Sequence, residues 1–282
     1  MGDSSAGGEL TVSNRGAGGD AGSALEARLL AIALEAAQAA GALLLDRFGG
    51  PAQDVRAKST PTDLVSEADL EAERAIRAII CAQRPGDAIL GEEGGNQSGD
   101  GVSSVHWLVD PLDGTINYLF GIPQWSVSIA CLDRDGGIAG VVLDPVRNEI
   151  FAATRSGQPT LNGQTIVGSS KQNLAAAMVA TGFAYDASVR ASQAEVLTRV
   201  LPLVRDIRRL GSAALDLAWT ACGRCDAYYE RGLNPWDLAA GALICQRAGL
   251  EVRTLQAKDD LPAGLLVAPP AIAGLLGDLV GP

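Results

Sequence analysis

The 282-residue chain carries 22 basic against 33 acidic side chains, a net charge of -11, which argues against a nucleic-acid surface. That length supplies ample core for one large domain or two of ordinary size. Its apolar runs are broken by charges or Gly, so no membrane span is expected.

Residues 1–23 are rich in Gly, Ser and Ala. They lack the basic start and apolar centre of a signal peptide, so a disordered tail on a cytoplasmic protein is expected. Residues 25–48 read as a long Ala/Leu-rich helix stopped by Gly49-Gly50-Pro51. After a short extended piece at 55–58, a second helix runs to about Arg84. Its stripe is Leu64, Ala68, Ala72, Ile76, Ile79 and Ile80, and Asp69 falls inside it. Residues 88–93 form a short strand ending in paired acids, and 96–104 a polar loop. Strands are expected at 105–110, 125–132, 138–143 and 149–154. Helices followed by a meander suggest an α+β layer.

Beyond a polar connector at 167–173, strands at 176–183, 206–210, 227–230, 251–254 and 264–268 alternate with helices. Those helices are expected at 188–204, 212–222, 235–248 and 272–279, an α/β pattern. The chain thus divides into a tail (1–23), an N-terminal α+β subdomain carrying most of the acids (24–168) and a C-terminal α/β subdomain (169–282).

The five cysteines are an odd number in apolar contexts, which suits reduced, buried thiols. Cys222-Gly-Arg-Cys225 is a C-x-x-C pair, but it follows a helix, where the dipole opposes a thiolate. His106 is expected to be structural. Arg205, Arg208 and Arg209 form a basic cluster expected on a solvated face or a dimer contact.

The chemistry centres on Asp110-Pro-Leu-Asp-Gly-Thr115. The run Trp107-Leu-Val109 reads as a buried strand that Pro111 ends, delivering two carboxylates into one small volume. Such a pair resists burial unless a cation or proton compensates it, and hard carboxylate oxygens suit Mg²⁺. The spacing alone fits an Asx-type turn equally well. Glu92 and Asp237, each at a strand end or helix start, add acids from separate segments, and together the carboxylates fit a cluster for two or three Mg²⁺ ions.

Lys58-Ser-Thr-Pro-Thr-Asp-Leu-Val65 with Asp69, Gly91-Glu-Glu93, Asp110-Pro-Leu-Asp-Gly-Thr115 and Trp236-Asp-Leu-Ala-Ala-Gly241 together resemble the inositol monophosphatase family of Mg²⁺-dependent, lithium-sensitive phosphatases. The resemblance runs from about residue 25 to the C-terminus. It implies a layered αβαβα sandwich of the inositol monophosphatase/fructose-bisphosphatase type, and a homodimer. It implies that Glu92, Asp110 and the Leu112 carbonyl hold a first metal. Asp110 would bridge to a second ion held by Asp113 and Asp237, with Glu92 shared with a weaker third. Asp69 and Thr115 match the pair that orients and deprotonates the attacking water, with Lys58 near the metal-bound waters. The N–H groups of Gly114 and Thr115 would hold phosphate oxygens.

Gly211-Ser-Ala-Ala214 and Asp226-Ala-Tyr-Tyr-Glu230 resemble the segments that contact the inositol ring, through Glu230 and the Ser212-Ala213 backbone. The implied reaction is hydrolysis of a small phosphorylated polyol or sugar by metal-activated water, myo-inositol 1-phosphate foremost. Fructose 1,6-bisphosphate and 3′-phosphoadenosine 5′-phosphate are alternatives. An alternative of another class is a non-catalytic interaction protein retaining the fold, but a decayed enzyme would shed costly buried acids, and every ligand is present. Ile116, Tyr118 and Gln246-Arg247 depart from the family's usual residues away from the proposed ligands.

Overall fold

Apolar side chains alternate between the two faces of the central strands, so a sheet built from them needs a helical layer on each side. The computed structural model, which describes residues 17–49, 56–57, 64–65 and 67–281, has that layering. Helices α1 (Ala17–Arg47) and α2 (Glu67–Gln83) flank the ribbon of β1 (Arg56–Ala57) and β2 (Leu64–Val65) in sequence. An eight-stranded sheet follows from β3 (Ala88–Gly91), β4 (Gly95–Gln97), β5 (His106–Asp113), β6 (Ser126–Asp133), β7 (Gly136–Asp144), β8 (Glu149–Thr154), β9 (Thr160–Leu161) and β10 (Gln164–Thr165), ordered β10-β9-β8-β7-β6-β5-β3-β4. It is antiparallel except for the β3–β5 pair. The short helix α3 (Thr115–Leu119) leaves the end of β5.

The second half builds a mixed five-stranded sheet from β11 (Met178–Thr181), β12 (Asp206–Arg208), β13 (Ala227–Arg231), β14 (Glu251–Leu255) and β15 (Gly264–Ala268), ordered β12-β11-β13-β15-β14. Helices α4 (Ala187–Val200), α5 (Ala213–Ala221), α6 (Pro235–Arg247) and α7 (Pro270–Val280) complete the fold.

Three apolar clusters define five layers. Leu29 and Ile32 of α1 and Ile76 and Ile80 of α2 bury Trp107, Val109 and Ile129 of the first sheet. Their sequence neighbours Leu108 and Ala130 point the other way, onto Leu215 and Ala218 of α5 and Ile244 of α6, which also receive Tyr228 and Val267 from the second sheet. Val179, Tyr229 and Leu266 face outward from that sheet onto Val196 of α4 and Leu276 of α7. The order is α1/α2, sheet, α5/α6, sheet, α4/α7: an αβαβα sandwich of the α+β class.

Several expectations are corrected. Helix α1 begins at Ala17, inside the stretch expected as tail. Residues 22–47 of it have an 18-residue window of mean hydropathy 1.6, long and apolar enough to cross a membrane by composition alone. In this fold that apolarity is used in the core, where Leu29, Ala33, Ala36, Ala40 and Leu44 are fully buried. Strand β5 does not stop at Asp110; it runs to Asp113 through a register shift against β6. Pro111 sits inside that irregularity, where a missing N–H breaks no ladder bond.

The Gly of the Trp236–Gly241 motif has a packing reason. A Cβ at Gly241 would stand 2.5 Å from Leu217 Cβ, so α6 crosses α5 at glycine contact distance. Gly241→Ala is expected to destabilise the protein by about 1–3 kcal/mol through overpacking, read as a lower urea midpoint at unchanged slope.

Candidate active site

At the ends of β3 and β5, a cleft of about 380 Å³ opens between the first sheet, the start of α5, the start of α6 and β13. Its walls include Glu92, Asp110, Leu112, Asp113, Gly114, Thr115, Ala213, Glu230 and Asp237. Local structure explains how each arrives.

Strand β3 runs parallel to β5, and the Glu92 N–H continues their ladder by donating to the Val109 carbonyl at 3.1 Å. Glu92 is thereby set beside Asp110. The Asp110 carboxylate accepts the Leu112 N–H at 3.0 Å, an Asx turn that takes the chain through Pro111. Gly114 then adopts φ 94°, and a Cβ there would lie 3.0 Å from the Gln124 carbonyl and 3.2 Å from that of Gly211. Only glycine accommodates both the left-handed backbone and the crowding.

Thr115 opens α3. Its hydroxyl lies 3.0 Å from the Leu112 carbonyl and 3.3 Å from Asp69 Oδ1. Asp69 comes from the first turn of α2 and is fully buried, unlike an ordinary helix-surface acid. The Asp113 carboxylate accepts from Ser212 Oγ, from the Ala213 N–H at 3.1 Å and from the Ala214 N–H at 2.8 Å. It therefore sits on the N-terminus of α5, where donors and dipole favour the anion. Asp237, in the first turn of α6, closes a capping box by accepting the Asn234 N–H at 2.7 Å.

Burial, followed by the repulsion of Glu92, Asp113 and Asp237, drives the Asp110 carboxyl well above the usual carboxylate range. Asp237 is pushed up chiefly by burial and then by Asp113. Asp113 is raised by burial despite the opposing pull of its donors. Glu92 lies close enough to raise the Asp110 carboxyl further, and a proton shared between the two would relieve their repulsion. A divalent cation would answer the same demand.

Among the described residues, no three acidic, cysteine or histidine side chains stand close enough to grip an ion as placed. Asp113 is turned to α5 and Asp237 to Asn234. Each carboxylate has acceptor sites beyond those it uses here, and the donor set of carboxylates plus the Leu112 carbonyl is hard oxygen throughout. It fits Mg²⁺.

Glu230 stands on the opposite wall, at the end of β13, and accepts the Tyr228 hydroxyl at 2.9 Å. Burial lifts its pKa to about 7, against the lowering effects of Tyr228 and Arg209. Beneath it, Asp216 of α5 is buried with one carboxylate oxygen lacking a hydrogen-bond partner, and burial pushes its pKa well up. Of the Ser212-Ala213 backbone expected at the ring, the Ala213 N–H is donated to Asp113, which also accepts the Ser212 hydroxyl. Lys58 lies outside the described residues.

The expected arginine cluster splits. Arg208 pairs with Asp206 at 2.6 Å and Arg205 donates to the Ala176 carbonyl, both away from the cleft. Arg209 lines the cleft and lies against Gly211. The overlooked signal is its position two residues before a glycine that turns the chain at φ 92° into α5. Cys222 caps the C-terminus of α5, and burial raises both its thiol and that of Cys225, the latter to about 12. These thiols are poor nucleophiles.

Comparison with known proteins places this geometry. The model of the inositol monophosphatase family matches residues 25–280. The chain is 44% identical over 241 residues to an inositol-1-monophosphatase of Mycobacterium leprae, covering 82% of each chain. It is 41% identical over 235 residues to a Nus factor SuhB of Pseudomonas aeruginosa, covering 78% of this chain and 83% of the relative. The crystal structure of the extragenic suppressor protein SuhB from Bartonella henselae superposes with a TM-score of 0.82 at 32% identity, covering 90% of this chain and 98% of that one. A match of this extent, together with an acid-lined cleft at the junction of the two sheets, means that the chain is a phosphatase belonging to the inositol monophosphatase family.

Proposed function

We propose that the chain hydrolyses a small phosphate monoester with Mg²⁺ as its ion and myo-inositol 1-phosphate as its preferred ester. The observation that carries this is the Thr115–Asp69 contact at 3.3 Å, beside the acid cluster and across the cleft from Glu230. Held at Glu92, Asp110, Asp113, Asp237 and the Leu112 carbonyl, Mg²⁺ would neutralise the phosphate dianion and polarise the attacking water.

The chain's own residues supply the rest. Thr115 has one hydroxyl proton, and donating it to Asp69 leaves its lone pairs to accept from a water. Asp69, buried and linked through that hydroxyl, is the proton acceptor for a water so aligned. The N–H groups of Gly114 and Thr115 would donate to phosphate oxygens. Glu230, when ionised, offers two acceptor oxygens to neighbouring hydroxyls of a polyol.

The test is phosphate release with Mg²⁺ from inositol 1-phosphate, fructose 1,6-bisphosphate and 3′-phosphoadenosine 5′-phosphate in parallel. Thr115→Ala is expected to lower kcat by roughly 10²-fold with KM little changed, and Thr115→Ser to restore most of it. A Thr115→Ala kcat within about twofold of wild type would remove the Thr115–Asp69 pair from the reaction. Comparable rates on all three esters would retain the hydrolysis and drop the inositol preference. Millimolar Li⁺ should inhibit.

A relative at 41% identity bears the name Nus factor SuhB, which motivates a second reading as an interaction protein. Mg²⁺ binding without phosphate release from any of the three esters would favour it.

A further inference from the structure

Helix α2 carries a second buried acid one turn after Asp69. Glu73 is 2% exposed, and its carboxylate accepts the Glu93 N–H at 2.7 Å and the Gly94 N–H at 2.8 Å. Those two donors belong to the tight turn between β3 and β4, which also carries Glu92. Arg77, four residues on along α2, pairs with Glu73 at 2.6 Å and donates to the Gly95 carbonyl at 2.6 Å. Both sides of the turn are thus tied to one helix face.

The turn is shaped to receive that carboxylate. A Cβ on Gly91 would approach Glu73 Oε1 to 2.4 Å, and one on Gly94 to 2.5 Å. Neither glycine has a positive φ, so backbone conformation does not require glycine at either place; the approach of Glu73 does. Successive N–H groups converging on an anion form a nest, here filled from within the chain. With the Glu92 N–H held by Val109 and the next two N–H groups by Glu73, the backbone around Glu92 is pinned on both flanks.

We infer that Glu73, braced by Arg77, is a positioning residue that fixes the Glu92 turn for ion binding and holds it in register with Asp69 on the same helix. Glu73 itself touches neither substrate nor ion. It removes the turn's freedom, so that Glu92 is delivered without the ordering cost a mobile turn would add. This inference rests on the assignment of Glu92 as an ion ligand.

The experiment is calorimetric Mg²⁺ titration of metal-free protein, with thermal melts and phosphate release alongside. Glu73→Gln keeps one acceptor oxygen but turns an NH₂ group toward a donor and deprives Arg77 of its anionic partner. It is expected to weaken Mg²⁺ binding about tenfold, the size typical for groups that orient a metal ligand. The lost rate should return at raised Mg²⁺, with KM for the ester nearly unchanged. Gly94→Ala displaces the carboxylate from the other side and should reproduce the effect without altering Glu73. In a Glu92→Gln background, Glu73→Gln should cost no further Mg²⁺ affinity, because the two act through one point. Unchanged Mg²⁺ affinity in both Glu73→Gln and Gly94→Ala, with only the melting temperature lowered, would overturn the inference. So would an equal loss in the Glu92→Gln background. A wild-type protein that binds no Mg²⁺ would instead overturn the parent assignment.

Discussion

Asp110→Asn is expected to cut phosphate release by about three orders of magnitude while making the metal-free protein more stable. The two effects have one cause. Asp110 is 2% exposed and faces Glu92, Asp113 and Asp237, a concentration of negative charge that serves an ion and burdens the fold. Burial first, and the neighbouring acids second, raise its folded pKa above the unfolded value. A carboxyl shifted upward contributes full stability only below its unfolded pKa of about 3.9, and that contribution is lost as pH rises through the higher folded pKa. The amide never ionises, so the variant should escape the loss. Mg²⁺ reverses the comparison. At a hundred times its Kd it should stabilise wild type by about 2.7 kcal/mol and the variant hardly at all. Melting curves at pH 5 and pH 8, with and without Mg²⁺, check each part. A variant that melts no higher than wild type at pH 8 without Mg²⁺ would show that Asp110 is not under electrostatic load.

Glu230→Gln carries the second large expectation, and it separates ring recognition from phosphate chemistry. The side chain is 9% exposed, and burial holds its pKa near 7 against an ordinary value of 4.5. Below about pH 4.5 the carboxyl is protonated in both folded and unfolded chains and no penalty arises. Between that pH and about 7 only the unfolded chain ionises, so stability falls through this window and levels off above it. The gap between the two pKa values sets a ceiling of about 3 kcal/mol, to be seen as extra stability of the variant at pH 8 and no difference at pH 4. Binding should move the other way. Removing an ionised acceptor from the cleft is expected to raise KM for inositol 1-phosphate about tenfold. A phosphate ester without neighbouring hydroxyls should keep its KM. Equal losses on both esters would assign Glu230 to the reaction itself.

Much of this architecture is legible in the chain because local signals are strong. Helix α6 begins at Pro235 as expected, and α5 gives way at Gly223, whose φ of 80° only glycine adopts easily. Strand β8 has its expected bounds. Strands β9 and β10, two residues each, are too short to show a period. Pro111 was misleading for a physical reason: proline forbids an ordinary ladder position, and the chain meets the ban with a register shift instead of a strand end. The acids of the cleft stand out because they sit in motifs. Glu73 does not, although an acid adjoining Ala72 in an apolar stripe, with arginine four residues on, is an odd choice for a buried helix face. Arg209 left only the faint sign of a glycine two residues on, since its place in the cleft comes from the turn between β12 and α5.

The Asp113 carboxylate meets Ser212 and the first N–H groups of α5 across 99 to 101 residues of chain. Contacts of that span form late in folding, because the loop must close before they reward it. The cleft should therefore be absent from early compact species, and phosphate release during refolding should lag behind the recovery of secondary structure. Ion capture by half-formed chains would be correspondingly weak, since an acid without its distant helix terminus has no fixed direction in which to point.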